Sequence, residues 1–394
     1  MTSPLVPRTL APVLASRFQS YPVVTLTGPR QSGKTTLCRM VFPDKRYANL
    51  ERPDVRRFAL EDPRGFLAQF PDGAVIDEIQ RAPDLVSYIQ ARVDETPRKG
   101  LFILTGSQQL DVSARVTQSL AGRTSVLRLF PFGMEELEGT SWFPPSVERA
   151  LYAGFYPRIH RDRLDPTVAL GDYFETYVER DLRQIVNIRD LHLFQRFVGL
   201  CAGRIGQLLN LDALAADTGV SRTTARAWIA ALEASYVVFL LQPYHANVAR
   251  RLVKRPKLYF HDVGLAGFLL GIEEEGQLVR HPLRGPLFEN LVVSEALKHR
   301  LHRGQRPNLF FYRDRKGNEV DLVIEVKGVP VPVEIKAGQT VAPDYFRGLR
   351  SFEKAFGPLP LGGAVVYAGQ ESRVQHGWRV VPWTQVPAFL KAGL

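Results

Sequence analysis

Apolar positions along the chain fall into two kinds of pattern, and the places where one gives way to the other divide it. Val23-Val24-Thr25-Leu26-Thr27 is a β-branched run that reads as a buried strand. Ala74-Val75-Ile76, Leu101-Phe102-Ile103-Leu104-Thr105 and Val126-Leu127-Arg128-Leu129 repeat the pattern. Helical patterns lie between them, and the segment 1–18 reads as a short amphipathic helix leading into the first strand. Strands alternating with helices predict a doubly wound parallel sheet over 1–145, with ligand at the carboxyl ends of its strands. After Pro144-Pro145 the spacing becomes helical, and a helical lid is expected over 146–205. Residues 206–275 read as two helices and two strands, and 281–394 as a separate α/β domain.

The first strand runs directly into Gly28, Pro29, Arg30, Gln31, Ser32, Gly33, Lys34, Thr35 and Thr36. Gly-x-x-x-x-Gly-Lys-Thr after a strand and before a helix is a phosphate loop, whose backbone N–H groups wrap phosphate at the positive end of the helix. Lys34 is expected to reach the β- and γ-phosphates of ATP, and Thr35 to ligate Mg²⁺. The second strand ends in Asp77-Glu78, which suits Asp77 to holding the metal and Glu78 to deprotonating the attacking water. At the tip of the third strand, Ser107 or Gln108 is expected beside the γ-phosphate, and both choices stay open. Arg123, with Arg115 behind it, is the candidate for an arginine supplied to a neighbouring subunit. That role implies a homo-oligomer, and a ring is one form of it.

These motifs resemble a known family. GPRQSGKTT at 28–36, YANLE at 47–51, VIDEIQ at 75–80 and LTGSQ at 104–108 look like the prokaryotic AAA-type ATPases that carry a carboxy-terminal domain of unknown function. YAGFYP at 152–157 and YVERD at 177–181 extend the resemblance, which spans nearly the whole chain. It implies an ATPase coupled to an accessory region. Within the lid, Arg158, Arg180 and Arg183 are read as solvated helix positions in preference to nucleotide contacts.

In the middle of the chain, Leu211 to Asp217 reads as a helix, Thr218-Gly219-Val220 as a turn, and Ser221 as the cap of a second helix. That helix opens with Arg222, Thr223, Thr224 and Arg226, as a DNA-binding helix-turn-helix does. Strands at 237–241 and 257–260, with a basic stretch at 247–255, complete a winged-helix pattern. Winged helices also dock proteins, so the fold alone does not choose DNA.

The last domain opens with a helix over 285–297, apolar on one face, followed by strands at 309–313, 319–325 and 331–336. Glu334 and Lys336, two apart on a strand, project to one side. Together with Asp321 on the preceding strand and Glu289 on the helix, they resemble the core of the PD-(D/E)XK nucleases. The resemblance implies Mg²⁺ held by Asp321 and Glu334, water activated by Lys336, and Glu289 as an extra acid, with Asn318 and Glu319 as neighbours. Cleavage and a retained nuclease fold used for docking are both compatible with it, as is a set of ion pairs that simply neutralise one another.

Composition adds little to this. At 394 residues the chain has room for two or three domains. The net charge of +11 suits a polyanion such as DNA, although the arginine-rich composition of a protein from a GC-rich genome gives the same balance. The two cysteines, Cys38 and Cys201, form no disulfide framework, which favours a reducing cytoplasm. No apolar stretch reaches membrane-spanning length, and the histidines are too scattered for a metal cluster. The expectation is a Mg²⁺-dependent ATPase acting on DNA, the alternative a nucleotide-switched scaffold.

Overall fold

The computed structural model describes residues 5–96, 98–107, 119–178, 182, 188, 190–244 and 255–393. Gln108, Arg115, Arg180, Arg183 and the basic stretch 247–254 lie outside them. Two compact units are formed. The first comprises 1–132 with 234–236 and 300–305, and the second 133–233, 237–299 and 306–394.

The first unit runs α1 (Ala11–Ser20), β1 (Val23–Thr27), α2 (Lys34–Val41), β2 (Tyr47–Asn49), α3 (Pro53–Glu61), α4 (Pro63–Ala68), β3 (Val75–Asp77), α5 (Leu85–Glu95), β4 (Phe102–Gly106) and β5 (Thr124–Arg128). Its sheet has the order β2-β3-β4-β1-β5, with every pairing parallel. Helices cover both faces, which is why β1 and β4 are buried at every position and read as unbroken apolar runs. Leu50, Phe66, Ile89 and Phe102 belong to one apolar layer, and Leu14, Leu26, Leu37 and Ile103 to the other. Parallel strands place the ends of β1, β3 and β4 on one edge, so the phosphate loop, Asp77-Glu78 and Ser107 share it.

The second unit starts with α6 (Met134–Leu137), α7 (Val147–Ala153), α8 (Pro157–Asp162), α9 (Pro166–Tyr173) and α10 (Leu191–Ala202). Next come α11 (Leu211–Thr218), α12 (Arg222–Ala234), β6 (Val238–Pro243), β7 (Lys257–Phe260) and α13 (Val263–Leu269). It ends with α14 (Arg284–Leu301), β8 (Leu309–Arg313), β9 (Glu319–Val326), β10 (Val329–Lys336), α15 (Arg347–Phe356), β11 (Ala364–Tyr367), β12 (Arg373–Gln375), β13 (Trp378–Pro382) and α16 (Val386–Gly393).

One sheet of eight strands, ordered β12-β13-β11-β10-β9-β8-β6-β7, runs through this unit. β6 and β7 pair as an antiparallel hairpin, and β6 then pairs in parallel with β8 through Gln242 and Pro243. The hairpin expected as a wing is thus also an edge of the sheet that carries 309–382. Pro330 and Pro332 are tolerated inside β10 because β11 joins only from Val333 onward, so their missing N–H groups leave no ladder bond unmade.

α14 differs from its expected amphipathic form: Asn290, Ser294, Glu295 and Lys298 are buried along with its apolar residues. Each finds a partner, as burial of a polar group demands. The Asn290 amide accepts from the Phe260 N–H at 2.7 Å and donates to the Phe260 carbonyl at 3.0 Å. Lys298 Nζ lies 2.9 Å from Glu295 Oε1, whose other oxygen accepts from the Met134 N–H at 2.6 Å.

Candidate functional site

In the first unit the loop between β1 and α2 is held open from beneath. Gly28 has φ +146, and a Cβ there would lie 2.0 Å from the Leu129 carbonyl oxygen, so only glycine allows this approach. Arg8 is buried and donates to the carbonyls of Ser32 and Phe130, each at 2.7 Å, bracing the loop from outside the motif. Lys34 Nζ donates to the Gly28 and Pro29 carbonyls at 2.9 and 2.8 Å, folded back on its own loop. The Ser32 hydroxyl is buried with no hydrogen-bond partner among the described residues, a polar atom left over at the phosphate cradle.

Asp77 is the hub of the edge. Its carboxylate accepts from Thr35 Oγ1 at 2.7 Å, and also from the Tyr47 and Thr105 hydroxyls. A hydroxyl and a carboxylate in contact are hard oxygen donors of the kind Mg²⁺ takes alongside phosphate oxygens, so Thr35 and Asp77 fit that ion. Next to it Glu78 adopts a left-handed backbone, φ 59. Its carboxylate accepts from the Gln80 amide, Ser107 Oγ stands 3.4 Å away, and Gln80 Nε2 also donates to Ser107 Oγ at 3.1 Å. Arg30 bridges Glu51 at 3.2 Å and Glu78 at 3.9 Å. Burial raises the Glu78 pKa, with Lys34 and Arg30 opposing, which makes it a stronger base than an exposed glutamate.

Arg123 lies at the other end of the sheet. Its carbonyl accepts from Val23 N–H at the start of β1, whereas the phosphate loop follows Thr27. The length of β1 therefore separates them, about 13 Å at strand spacing. Its guanidinium meets Asp94 of α5 through two bonds of 2.5 and 3.0 Å.

In the second unit β9 and β10 are antiparallel with Leu322 opposite Val333, a register that continues to set Asp321 opposite Glu334. Asp321 Oδ2 accepts from Ile335 N–H at 2.8 Å and Lys336 Nζ at 3.1 Å, and Lys336 Nζ is 2.6 Å from Glu334 Oε2. Gly348 of α15 lies so close that a Cβ there would sit 1.7 Å from Glu334 Oε1. Burial and neighbouring Asp321 push the Glu334 carboxyl well above the ordinary range. Asp321 goes down: burial opposes its charge, but Lys336 and Lys257 outweigh it.

Lys257, unmarked by any motif, is the residue that sequence reasoning missed. From β7 its ammonium reaches Glu289 Oε1 at 3.0 Å and Glu319 Oε1 at 2.5 Å, with Tyr259 also donating to Glu289. Burial works against the Lys257 charge, and Glu289, Asp321 and Glu319 outweigh it, so the ammonium is held charged. A lysine opening the otherwise apolar strand Lys257-Leu258-Tyr259-Phe260 was the available signal. The four residues expected for a nuclease core are thus brought into one charged cluster, in which Glu289, Asp321, Glu334 and the neighbouring Glu319 face two ammonium groups, Lys257 and Lys336. Among the described residues no group of three or more acid, His or Cys side chains is arranged to hold a metal.

The residues expected to form a helix-turn-helix are also described. Gly219 turns with φ 86, and Ser221 Oγ caps α12 by accepting from Thr224 N–H at 3.0 Å. Arg222 pairs with Asp212 at 3.3 Å and the Thr224 hydroxyl sits 2.9 Å from Ser221 Oγ, while Thr223 and Arg226 are exposed. Arg158 is exposed and reaches Asp162 at 3.6 Å. Both cysteines are buried and free, and no described helix is long and apolar enough to cross a membrane.

Comparison with known proteins agrees with the phosphate-loop geometry. Residues 20–138 match an AAA domain family, 145–276 a domain of unknown function (DUF8612), and 284–386 a domain of unknown function (DUF4143). The uncharacterized proteins Rv2008c of Mycobacterium tuberculosis and Mb2031c of Mycobacterium bovis are each 33% identical over 369 residues, 92% of this chain and 80% of theirs. Among solved structures, the Walker-type ATPase PABY2304 of Pyrococcus abyssi aligns with 68% of this chain and 99% of its own, at 15% identity and a TM-score of 0.46. The chain belongs to the family of these mycobacterial proteins, and its amino-terminal unit is an AAA-type P-loop ATPase domain.

Proposed function

We propose that the chain is a Mg²⁺-dependent ATPase that acts on DNA through a carboxy-terminal domain of the PD-(D/E)XK nuclease type. The DNA half of this reading rests on the β9–β10 register, which sets Asp321 against Glu334 with Lys336 bonded to both. The order α14, β8, β9, β10, α15, β11 and the acid Glu289 on α14 support the same assignment. So do a net charge of +11 and the exposed Thr223 and Arg226 at the head of α12.

In the ATPase step, Lys34 exchanges the Gly28 and Pro29 carbonyls for the β- and γ-phosphate oxygens. Thr35 and Asp77 would hold Mg²⁺, which supplies positive charge against those oxygens. Glu78, oriented by Gln80 and Ser107, takes a proton from water as its oxygen bonds to the γ-phosphorus. The bond to the β–γ bridging oxygen breaks, and ADP leaves with the electron pair. Arg123 is too far along its own strand to assist, so the role inferred for it is on a neighbouring subunit's phosphates, which requires an oligomer.

One observation favours a second reading. Lys257 and Lys336 already balance much of the acid charge of the cluster, as they would in a nuclease-derived domain that only docks a partner under nucleotide control. The deciding experiment incubates labelled duplex, branched and single-stranded DNA with the protein, Mg²⁺ and ATP. Cleavage lost in Asp321→Asn and Lys336→Ala, with ATP hydrolysis retained, is the expected result. ATP-dependent binding without cleavage selects docking on DNA, and neither binding nor cleavage overturns the DNA reading.

A further inference from the structure

Residues between 141 and 164 of the second unit line a half-open pocket of about 380 Å³, within the size range of small-ligand sites. Trp142 and Phe143 give its wall aromatic surface, and Arg149 and Arg163 give it charge. His160 contributes a ring nitrogen, and no Asp or Glu lines it. It shares no residue with the phosphate loop.

His160 Nε2 is 2.9 Å from the Gly154 carbonyl oxygen. A carbonyl only accepts, so Nε2 carries a proton, and burial lowers the His160 pKa, which favours the neutral ring with Nδ1 as an acceptor. The Trp142 and His160 rings have centroids 6.5 Å apart with planes 30° from parallel, which gives the pocket two aromatic surfaces on which a flat ring can stack.

The two cations are poorly matched inside the protein. Arg149 reaches Glu275 only at 4.0 Å and otherwise lies over the Tyr152 ring, 5.8 Å from its centroid. Arg163 closes α8 with φ 52, a left-handed position where glycine fits without strain. The carboxylates nearest it in sequence are committed elsewhere, Asp162 to Arg161 at 2.7 Å and Asp165 to the Val168 N–H at 3.0 Å. An exposed guanidinium at a strained backbone position, beside an aromatic cavity without acids, is a pattern that recognises an anion.

We propose that this cavity binds a small anion carrying a planar aromatic ring, of nucleoside 5′-monophosphate chemistry. Trp142 and His160 flank the base, and Arg149 and Arg163 hold the phosphate. A free nucleotide and the 5′-phosphorylated end of a strand offer the same groups.

The test uses the full chain carrying Lys34→Ala, to silence the phosphate loop. It is titrated with AMP, CMP, inorganic phosphate and a 5′-phosphorylated oligothymidylate, followed by calorimetry and tryptophan fluorescence. Saturable mononucleotide binding is expected, with phosphate alone about tenfold weaker. Arg163→Gly should keep the melting temperature, since glycine suits φ 52, yet lose about tenfold in affinity. Trp142→Leu should erase the advantage of nucleotide over phosphate. Binding of the oligonucleotide alone, lost in the same variants, assigns the strand end as the source. Absence of binding by every probe, or binding unchanged in both Arg163→Gly and Arg149→Gln, overturns the proposal.

Discussion

Thr35 Oγ1 donates to Asp77 Oδ2 across 2.7 Å, joining the first turn of α2 to the end of β3 over 42 positions of sequence. The pair holds two hard oxygens at the mouth of the phosphate loop, and their separate removal should have one kinetic signature. Thr35→Ala and Asp77→Asn are each expected to lower Mg²⁺-dependent ATP hydrolysis by about a hundredfold, while ADP still binds in the presence of EDTA. Equal loss of metal-free binding would mean that the pair is a structural tie.

Arg123 is anchored to Asp94 by two bonds, and a role on a neighbour's phosphates requires it to leave them. Arg123→Ala should cut turnover by about tenfold or more without changing nucleotide affinity. Asp94→Asn should retain or raise turnover, because it frees the guanidinium. Turnover per chain that does not vary with protein concentration, in wild type and both variants, would count against a shared site.

The Lys257 ammonium stands between Glu289 and Glu319 with its side chain 3% exposed. Lys257→Met removes the counter-charge of buried Glu289, while Glu319 keeps Arg313 at 3.3 Å, and should cost about 3 kcal/mol or more in denaturant unfolding. Adding Glu289→Gln should recover a large part of that loss. Additive effects of the two changes would show that the contact carries no coupling energy.

Glu233 on α12 is pushed up to about 7 by burial alone. Because its folded pKa is the higher one, its stabilising contribution is full below the unfolded value and fades as pH rises through about 7. Glu233→Gln should therefore match wild type near about pH 4 and become the more stable of the two by about pH 8. Melting temperatures across that range check it, and a constant difference would refute the titration.

What could be read from the sequence was what depends on near neighbours. Gly28 to Thr36 forms one loop and the first turn of the helix after it, Asp77 lies at the tip of an apolar run, and Glu334 and Lys336 are two apart on a strand, so spacing carried each. Ser221 and Gly219 carried the turn between α11 and α12 in the same way. Other features depend on which strands meet. Arg8 braces a loop of which it is no part, and its value is visible only once Ser32 and Phe130 come within 2.7 Å. Lys257 faces Glu289 because β7 is paired onto the sheet through β6, a contact no local pattern encodes. The apolar face expected of α14 was misjudged because Asn290 and Glu295 are satisfied by backbone groups far away in sequence.

The pairing of Gln242 and Pro243 with Phe310 and Phe311 has a consequence for modularity. The stretches 145–276 and 284–386, which match different families, meet within a single hydrogen-bonded ladder. A cut between them would strip β8 of its neighbour and leave a raw edge with half-buried Phe310 upon it, ready to recruit the same edge of another molecule. A domain swap that ignores β6 and β7 is therefore expected to yield an aggregating fragment.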